Sequence, residues 1–195
     1  MNLPNKITVG RMVISVAVLI LLLLPWSQLG INFPVYTIDG NIIVSLKILI
    51  AGGLFVIGSV TDFLDGHIAR SRGIVTDFGK VMDAIADKIL VNGVLIILAY
   101  EGMISIIIPV VIITRDTIVD SCKMISGNKG KVVAASIMGK LKTICMMVGL
   151  SLTMFYNLPF EMFGIPVARV LLILATILSV VSGIQYFMGA KKFIK

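Results

Sequence analysis

Four aspartates at helical spacing are the residues in this sequence best suited to carry chemistry. Asp62 and Asp65 are three positions apart, and Asp83 and Asp87 are four apart. In a helix, these separations place both members of a pair on one face. Mg²⁺ and Mn²⁺ prefer hard oxygen ligands such as carboxylates, and a pair of such metals can stabilise both the attacking and the leaving oxygen of a phosphoryl displacement. The pattern therefore favours a two-metal centre for phosphoryl transfer.

Two other interpretations of the four acids stay open at this point. One is structural, with each aspartate paired to a nearby base such as Arg70, Lys80 or Lys88. The other is a divalent-cation transporter, because acids inside a membrane also mark ion pathways. No acid lies in the outer half of a predicted helix to continue such a path. Small residues beside the acids leave room for a ligand, and Arg70 suits phosphate binding.

The elements that position these acids are predicted to be transmembrane helices. Of the 195 residues, 58% are hydrophobic and only 14% are charged, which is more apolar surface than a soluble domain of this size can bury. A membrane-spanning helix needs about 20 mostly apolar residues. We therefore predict an all-α integral membrane protein with six transmembrane helices in one domain, residues 1–195. The predicted helices are 8–27, 40–67, 79–100, 102–126, 132–157 and 164–188.

The distribution of charge predicts how these helices are oriented. The sequence has 17 Lys and Arg against 10 Asp and Glu, and the bases gather in alternate loops and at both ends. By the positive-inside rule, both termini are cytoplasmic. We predict a multi-pass protein of the cell (inner) membrane, with its active site near the cytoplasmic face. No basic stretch is interleaved with aromatic residues, so nucleic acid is not an expected partner.

The acids belong to a longer pattern that points to a family. It reads Asp62-x-x-Asp65-Gly66-x-x-Ala69-Arg70-x8-Gly79-x3-Asp83-x3-Asp87. This pattern resembles the signature of the CDP-alcohol phosphotransferases, with every defined position filled. The resemblance implies a CDP-lipid donor and two divalent cations, Mg²⁺ or Mn²⁺. It also implies a homodimer.

The resemblance assigns a role to each residue of the pattern. It implies that Asp62, Asp65, Asp83 and Asp87 form the metal site. It also implies that Asp87 is the general base on the acceptor hydroxyl, a role that requires hydrogen-bond reach. A further set is implied to bind the CDP-lipid: Thr8, Asp62, Gly66, Ala69, Arg70 and Gly79.

Three segments outside the pattern bear on the acceptor. Residues 2–8 with Arg11, residues 139–143 and residues 182–187 are similar to the branch of the family that uses glycerol 3-phosphate, the phosphatidylglycerophosphate synthases. We therefore predict transfer of a phosphatidyl group from CDP-diacylglycerol to glycerol 3-phosphate within the membrane lipid, giving phosphatidylglycerol phosphate and CMP. An anionic acceptor needs cations, and the candidates for its phosphate are Arg115, Lys140 and Lys142.

Alternatives remain for this acceptor site. The two lysines also suit anchoring at the anionic inner surface, and Arg115 also suits an ion pair with its neighbour Asp116. Asp116 stands where these synthases usually have Glu, Lys123 stands where Arg is common, and Ala84 replaces a common proline. Phosphatidylglycerol, inositol phosphate and serine therefore stay open as acceptors.

Overall fold

The fold is mostly helical, although not all-α as predicted, because the described residues also form a two-stranded β-sheet. A computed structural model describes residues 3–38, 42–71, 77–128 and 136–194. The side chains of residues 3–7, 62–71, 77–78, 80–81, 128 and 190–194 are outside this description. The described residues form six α-helices: α1 Leu3–Leu23, α2 Leu46–Ser71, α3 Asp77–Tyr100, α4 Ile107–Asn128, α5 Ile137–Met154 and α6 Val167–Ile194. A short 3₁₀ helix, Phe160–Phe163, precedes α6.

Two of these helices have the length and composition to cross a membrane. They contain the apolar stretches Ile137–Met154 in α5 and Val167–Gly189 in α6. Shorter apolar stretches, Thr8–Leu23 and Leu46–Thr61, lie in α1 and α2. The other predicted spans and the cytoplasmic location of both termini stay predictions.

A β-hairpin lies where the second predicted helix was expected to begin. Strand β1, Val35–Ile38, pairs antiparallel with strand β2, Ile42–Ser45, and α2 follows directly. The predicted start of this helix at residue 40 is therefore wrong. Residues 39–41 lie outside the described part, but their sequence contains Asp39-Gly40, which is a strong hairpin-turn signal between β-branched residues.

Other helix boundaries differ by a few residues. Gly102, with φ of +74°, follows the C-terminus of α3, and its left-handed backbone favours a turn over helix continuation. Helix α4 consequently begins at residue 107 rather than 102. The predicted start of helix five, residue 132, lies outside the described residues. Helix α6 begins at Val167, directly after Pro166, rather than at 164.

The described chain divides into two compact units, and the first contains α1, α2 and most of α3. It comprises Met1–Ile97 with Met154–Gly164. Glycines bring its helices close together, since a Cβ on Gly52 would lie 3.0 Å from Met154 Cβ and a Cβ on Gly58 would lie 3.1 Å from Leu90 Cδ2. Small residues allow such close approach of helices. The unit's core includes Val18 and Phe55.

The second unit contains α4, α6 and all of α5 except its last residue, Met154. It comprises Leu98–Thr153 with Ile165–Lys195. A Cβ on Gly149 would lie 3.0 Å from Leu172 Cγ, so α5 and α6 are closely packed there. The core of this unit includes Ile112 and Leu150. The prediction of one domain over the whole chain stays a prediction.

Candidate functional site

The backbone of the first unit carries all four aspartates on helices. Asp62 and Asp65 lie in the C-terminal part of α2, as do Gly66, Ala69 and Arg70. Their side chains are outside the description. Because the backbone is helical at both acids, they lie about one turn apart, as their separation in sequence predicts.

Helix α3 carries the second pair of acids and Gly79. Asp83 and Asp87 lie one helical turn apart on α3, and both are half-buried, as is Gly79. The other predicted CDP-lipid residue in this unit, Thr8, lies buried on α1.

Asp83 is paired with a buried arginine from α1. The Arg11 guanidinium donates a hydrogen bond to Asp83 Oδ1. The Arg11 side chain is 1% exposed, whereas that of Asp83 is 47% exposed. Ser15 Oγ supports this part of α1 by donating to the Arg11 carbonyl oxygen at 2.8 Å. The base that the structure pairs with Asp83 is therefore distant in sequence.

The contact with Arg11 was missed at the sequence level. From the sequence, Arg11 belongs to the N-terminal similarity and is assigned no partner. The signal that points to a partner is an arginine at the start of the apolar part of α1, because such a charge is costly in a membrane unless it is paired.

The described part of the acid site has the donor chemistry that a divalent cation needs. The carboxylates of Asp83 and Asp87 are partly accessible, and carboxylate oxygens fit Mg²⁺ or Mn²⁺. Within the described residues, no group of three His, Cys, Asp or Glu is placed to hold a metal. That search does not include the side chains of Asp62 and Asp65. The four-carboxylate metal site stays a prediction.

Two of the three predicted acceptor cations meet in the second unit. Arg115 NH1 donates to Asp116 Oδ1 at 2.8 Å. Lys142 Nζ donates to the same oxygen at 2.9 Å and to Asp116 Oδ2 at 2.7 Å. The Lys142 side chain is only 5% exposed, which is unusual because lysines are rarely buried unless they are paired. Arg115, Asp116 and Lys142 form what we call the cation cluster, whose formal charge is +1 from two cations and one carboxylate.

Lys140 lies apart from the cation cluster. It is exposed on α5, and residues two positions apart do not face the same side of a helix. Among the described contacts, none joins Lys140 to Asp116. Its predicted role in binding the acceptor stays a prediction.

Arg115 also has a set of partners on α6 that sequence reasoning did not identify. Its Nε donates to the Ser179 carbonyl oxygen at 3.1 Å, and its NH2 donates to Ser182 Oγ at 2.7 Å. Its Cζ lies 5.7 Å from the centroid of the Tyr186 ring. Lys123 Nζ lies 5.6 Å from the same centroid. The sequence signal was the spacing along α6, where Ser182 follows Ser179 by three positions and Tyr186 follows Ser182 by four. This spacing places the three residues on one helical face.

Comparisons with known proteins agree with the sequence pattern. The family model of CDP-alcohol phosphatidyltransferase matches residues 1–181. The CDP-diacylglycerol–glycerol-3-phosphate 3-phosphatidyltransferase of Bacillus subtilis is 38% identical over 191 residues, which cover 95% of this chain and 93% of that protein. The protein of the same name from Rickettsia bellii is 32% identical over 193 residues, covering 98% of this chain and 97% of its own.

A solved structure shares the fold. The apo crystal structure of Mycobacterium tuberculosis phosphatidylinositol phosphate synthase superposes with a TM-score of 0.61, at 20% identity. The match covers 96% of this chain and 88% of that one. At this identity the likeness bears on the fold alone. The match of the family model to residues 1–181, together with relatives above 30% identity over at least 93% of their length, makes this chain a member of the CDP-alcohol phosphatidyltransferase family.

Proposed function

We propose that this protein transfers a phosphatidyl group from CDP-diacylglycerol to glycerol 3-phosphate, giving phosphatidylglycerol phosphate and CMP. The observation that carries the proposal is the 38% identity, across 95% of this chain, to an enzyme named for that reaction. The acceptor hydroxyl oxygen forms the new bond to the lipid-bearing phosphorus, and the bond from that phosphorus to CMP breaks. This family consists of membrane enzymes that generally depend on divalent cations.

The acid site supplies the groups for this reaction. Asp62, Asp65, Asp83 and Asp87 are proposed to hold two Mg²⁺ or Mn²⁺ ions. When bound, such ions neutralise negative charge on the pyrophosphate and on the departing CMP. Asp87 is proposed to take the proton of the attacking hydroxyl, as a general base does. The half-buried position of Asp87 on α3 is consistent with access by a substrate.

The CDP-lipid is proposed to bind at residues of the family pattern and at Thr8. Gly66, Ala69 and Gly79 leave room for the nucleotide because they lack large side chains. Arg70 is suited to its phosphates because a guanidinium can donate two parallel hydrogen bonds. Thr8 is buried on α1, the helix that also carries the partner of Asp83.

The phosphate of glycerol 3-phosphate is proposed to bind at Arg115, Lys140 and Lys142. The net positive charge of the cation cluster supports this assignment for two of the three residues. A buried cation attracts an anion strongly because solvent screening is weak there. Lys140 is exposed and is proposed to contribute at longer range.

The setting of the reaction is proposed from the sequence. We infer a multi-pass protein of the cell (inner) membrane with six spans, both termini cytoplasmic and the active site near the cytoplasmic face. We also infer one domain and a homodimer. The two long apolar helices and membership of a family of membrane enzymes support the membrane location.

A second acceptor is favoured by one observation. A protein named for making phosphatidylinositol phosphate shares this fold, so the fold alone does not choose the acceptor. Inositol phosphate is therefore the second candidate. Membership of a transferase family favours phosphatidyl transfer over the divalent-cation transporter that the acids alone left open.

A single assay tests these alternatives. Purified protein is incubated with CDP-diacylglycerol, Mg²⁺ and one acceptor at a time, and CMP release is measured. Glycerol 3-phosphate should give the fastest release, ahead of inositol phosphate, phosphatidylglycerol, serine and uncharged glycerol. Fastest release with another acceptor would contradict the glycerol 3-phosphate assignment. No release with any of them would contradict the proposed reaction class.

A further inference from the structure

We propose that one face of α6 is a positioning cradle for Arg115 and thereby determines selectivity for phosphorylated acceptors. This α6 cradle consists of Ser179, Ser182, Gly183 and Tyr186. The inference rests on the proposed function, in which Arg115 binds the acceptor phosphate. It assigns a role to the segment 182–187, which the reaction chemistry leaves unexplained.

The stem of Arg115 occupies the space beside Gly183. A Cβ on Gly183 would lie 2.9 Å from Arg115 Cγ, 3.6 Å from Nε and 3.8 Å from Cδ. Real Cβ atoms essentially never show contacts under 3.0 Å, so the absence of a side chain at residue 183 lets the stem of Arg115 lie against the backbone of α6. Because Cγ is near the root of the side chain, it cannot move away without moving the guanidinium.

Hydrogen bonds to α6 set the direction of the Arg115 guanidinium. Its Nε donates to the Ser179 carbonyl oxygen at 3.1 Å and its NH2 donates to Ser182 Oγ at 2.7 Å. Ser182 Oγ is itself oriented, since it donates to the Ser179 carbonyl oxygen at 3.1 Å. Both serines are 0% exposed. These hydrogen bonds fix the plane of the guanidinium from the α6 side.

An aromatic ring of α6 lies beside the guanidinium. Tyr186 is 6% exposed, and its ring centroid lies 5.7 Å from Arg115 Cζ. A cation within about 6 Å of an aromatic centroid is attracted by the ring. Tyr186 therefore limits movement of the charge that the serines orient.

Arg115 has more N–H donors than its partners among the described residues use. A guanidinium has five N–H groups. Within the described residues three hydrogen bonds leave this group, to Ser179, Ser182 and Asp116, so two N–H groups remain for a ligand. An arginine held in one orientation with two N–H groups in reserve matches a phosphate, which accepts two parallel hydrogen bonds.

The experiment compares α6 variants with matched controls. The test variants are Gly183→Ala, Ser182→Ala and Tyr186→Leu. The controls are Gly53→Ala, whose new Cβ would meet nothing within 4 Å, and Ser126→Ala, which removes a buried hydroxyl bonded within its own helix to the Cys122 carbonyl oxygen. Tyr186→Phe keeps the ring, so its acceptor KM should rise less than that of Tyr186→Leu.

The measurements separate positioning from general structure. KM values for glycerol 3-phosphate and for CDP-diacylglycerol are determined on equal amounts of folded protein, and stabilisation by glycerol 3-phosphate is followed by thermal unfolding. Each test variant should raise the acceptor KM by about tenfold, the scale of one lost bond to a charged group. The donor KM should stay within about twofold, and stabilisation by glycerol 3-phosphate should fall. The controls should change neither KM.

Two results would overturn the cradle. One is an acceptor KM that stays at the wild-type value in the test variants, and the other is a parallel rise of both KM values. Ser182→Ala removes a single oxygen, so it keeps the test available if Gly183→Ala does not fold. If wild-type protein uses glycerol 3-phosphate and the variants keep its KM, the cradle fails alone. If wild-type protein releases no CMP with that acceptor, the proposed function fails, and the cradle fails with it.

Discussion

Replacing Lys142 by methionine tests whether this lysine binds the acceptor or only stabilises the fold. Methionine keeps much of the length of the side chain but removes its charge. In the structure, Lys142 is 5% exposed and donates to both oxygens of Asp116, at 2.9 and 2.7 Å. The substitution therefore removes a buried cation and two hydrogen bonds to one carboxylate.

The magnitudes follow from these contacts. A hydrogen bond to a charged group contributes roughly 1.5–3 kcal/mol, and about 1.4 kcal/mol corresponds to a factor of ten. If Lys142 binds the acceptor phosphate, Lys142→Met should raise the KM of glycerol 3-phosphate about ten- to a hundredfold. Asp116 keeps its 2.8 Å hydrogen bond from Arg115, so its carboxylate still has a cationic partner. The free energy of unfolding should therefore fall by about 1–3 kcal/mol, which is less than the ~3–5 kcal/mol expected when a buried charge loses its partner altogether.

The assay measures both KM values and the thermal midpoint on equal amounts of folded protein. Lys142→Arg should recover much of the acceptor KM because it keeps a cation. Lys140→Met removes the same charge from an exposed position on the same helix and should raise the acceptor KM less. If Lys142→Met lowers the midpoint but leaves the acceptor KM unchanged, Lys142 supports the fold and does not bind the acceptor.

Three further predictions concern the acid site and the packing of α2. Asp83→Asn should lower the thermal midpoint, because it removes the carboxylate paired with buried Arg11, and the protein that remains folded should release no CMP, because an amide binds a hard cation poorly. Excess chelator should stop the wild type and Mg²⁺ should restore it, and full activity in chelator would contradict the metal centre. Asp87→Asn should lower turnover by ~10²–10⁴ while CDP-diacylglycerol still stabilises the variant against heat; loss of donor binding with normal turnover per bound donor would assign Asp87 to metal binding alone. Gly52→Ala should be less stable than Gly53→Ala by about 1–3 kcal/mol and should therefore unfold at a lower temperature, because only the first new Cβ meets a neighbour, Met154 Cβ at 3.0 Å. Equal thermal midpoints would refute this packing argument.

The hairpin before α2 shows where a sequence pattern fails to choose between structures. Residues 42–45, Ile-Ile-Val-Ser, join an apolar stretch that continues into α2, and an unbroken apolar run does not distinguish a buried helix from a strand. The choice depends on a partner strand and on a turn that reverses the chain. Val35–Ile38 supplies the partner, and the Ser45 amide also donates to the Tyr156 hydroxyl at 2.9 Å. That contact joins residues far apart in sequence, so no local pattern reveals it.

The contacts of the charged residues also differ in whether the sequence reveals them. The pair Arg115 and Asp116 was considered from sequence because the residues are adjacent, and the structure confirms their contact. The bonds of Lys142 to Asp116 and of Arg11 to Asp83 join different helices, and sequence reasoning gave neither of them. Both arise because a charge on an apolar helix must find a counter-charge on whichever helix packs beside it.

The sequence by itself determined the helical class, the family and the relative positions of acids within each pair, because these depend on composition and on separations of three or four residues along one helix. Only the tertiary structure decided that Arg11 contacts Asp83, that Lys142 shares Asp116 with Arg115, and that Gly183 gives Arg115 its place against α6. The physical reason is that such contacts depend on which helical faces pack together and how closely. Those distances are set by side chains from several helices at once, and no single stretch of sequence contains them.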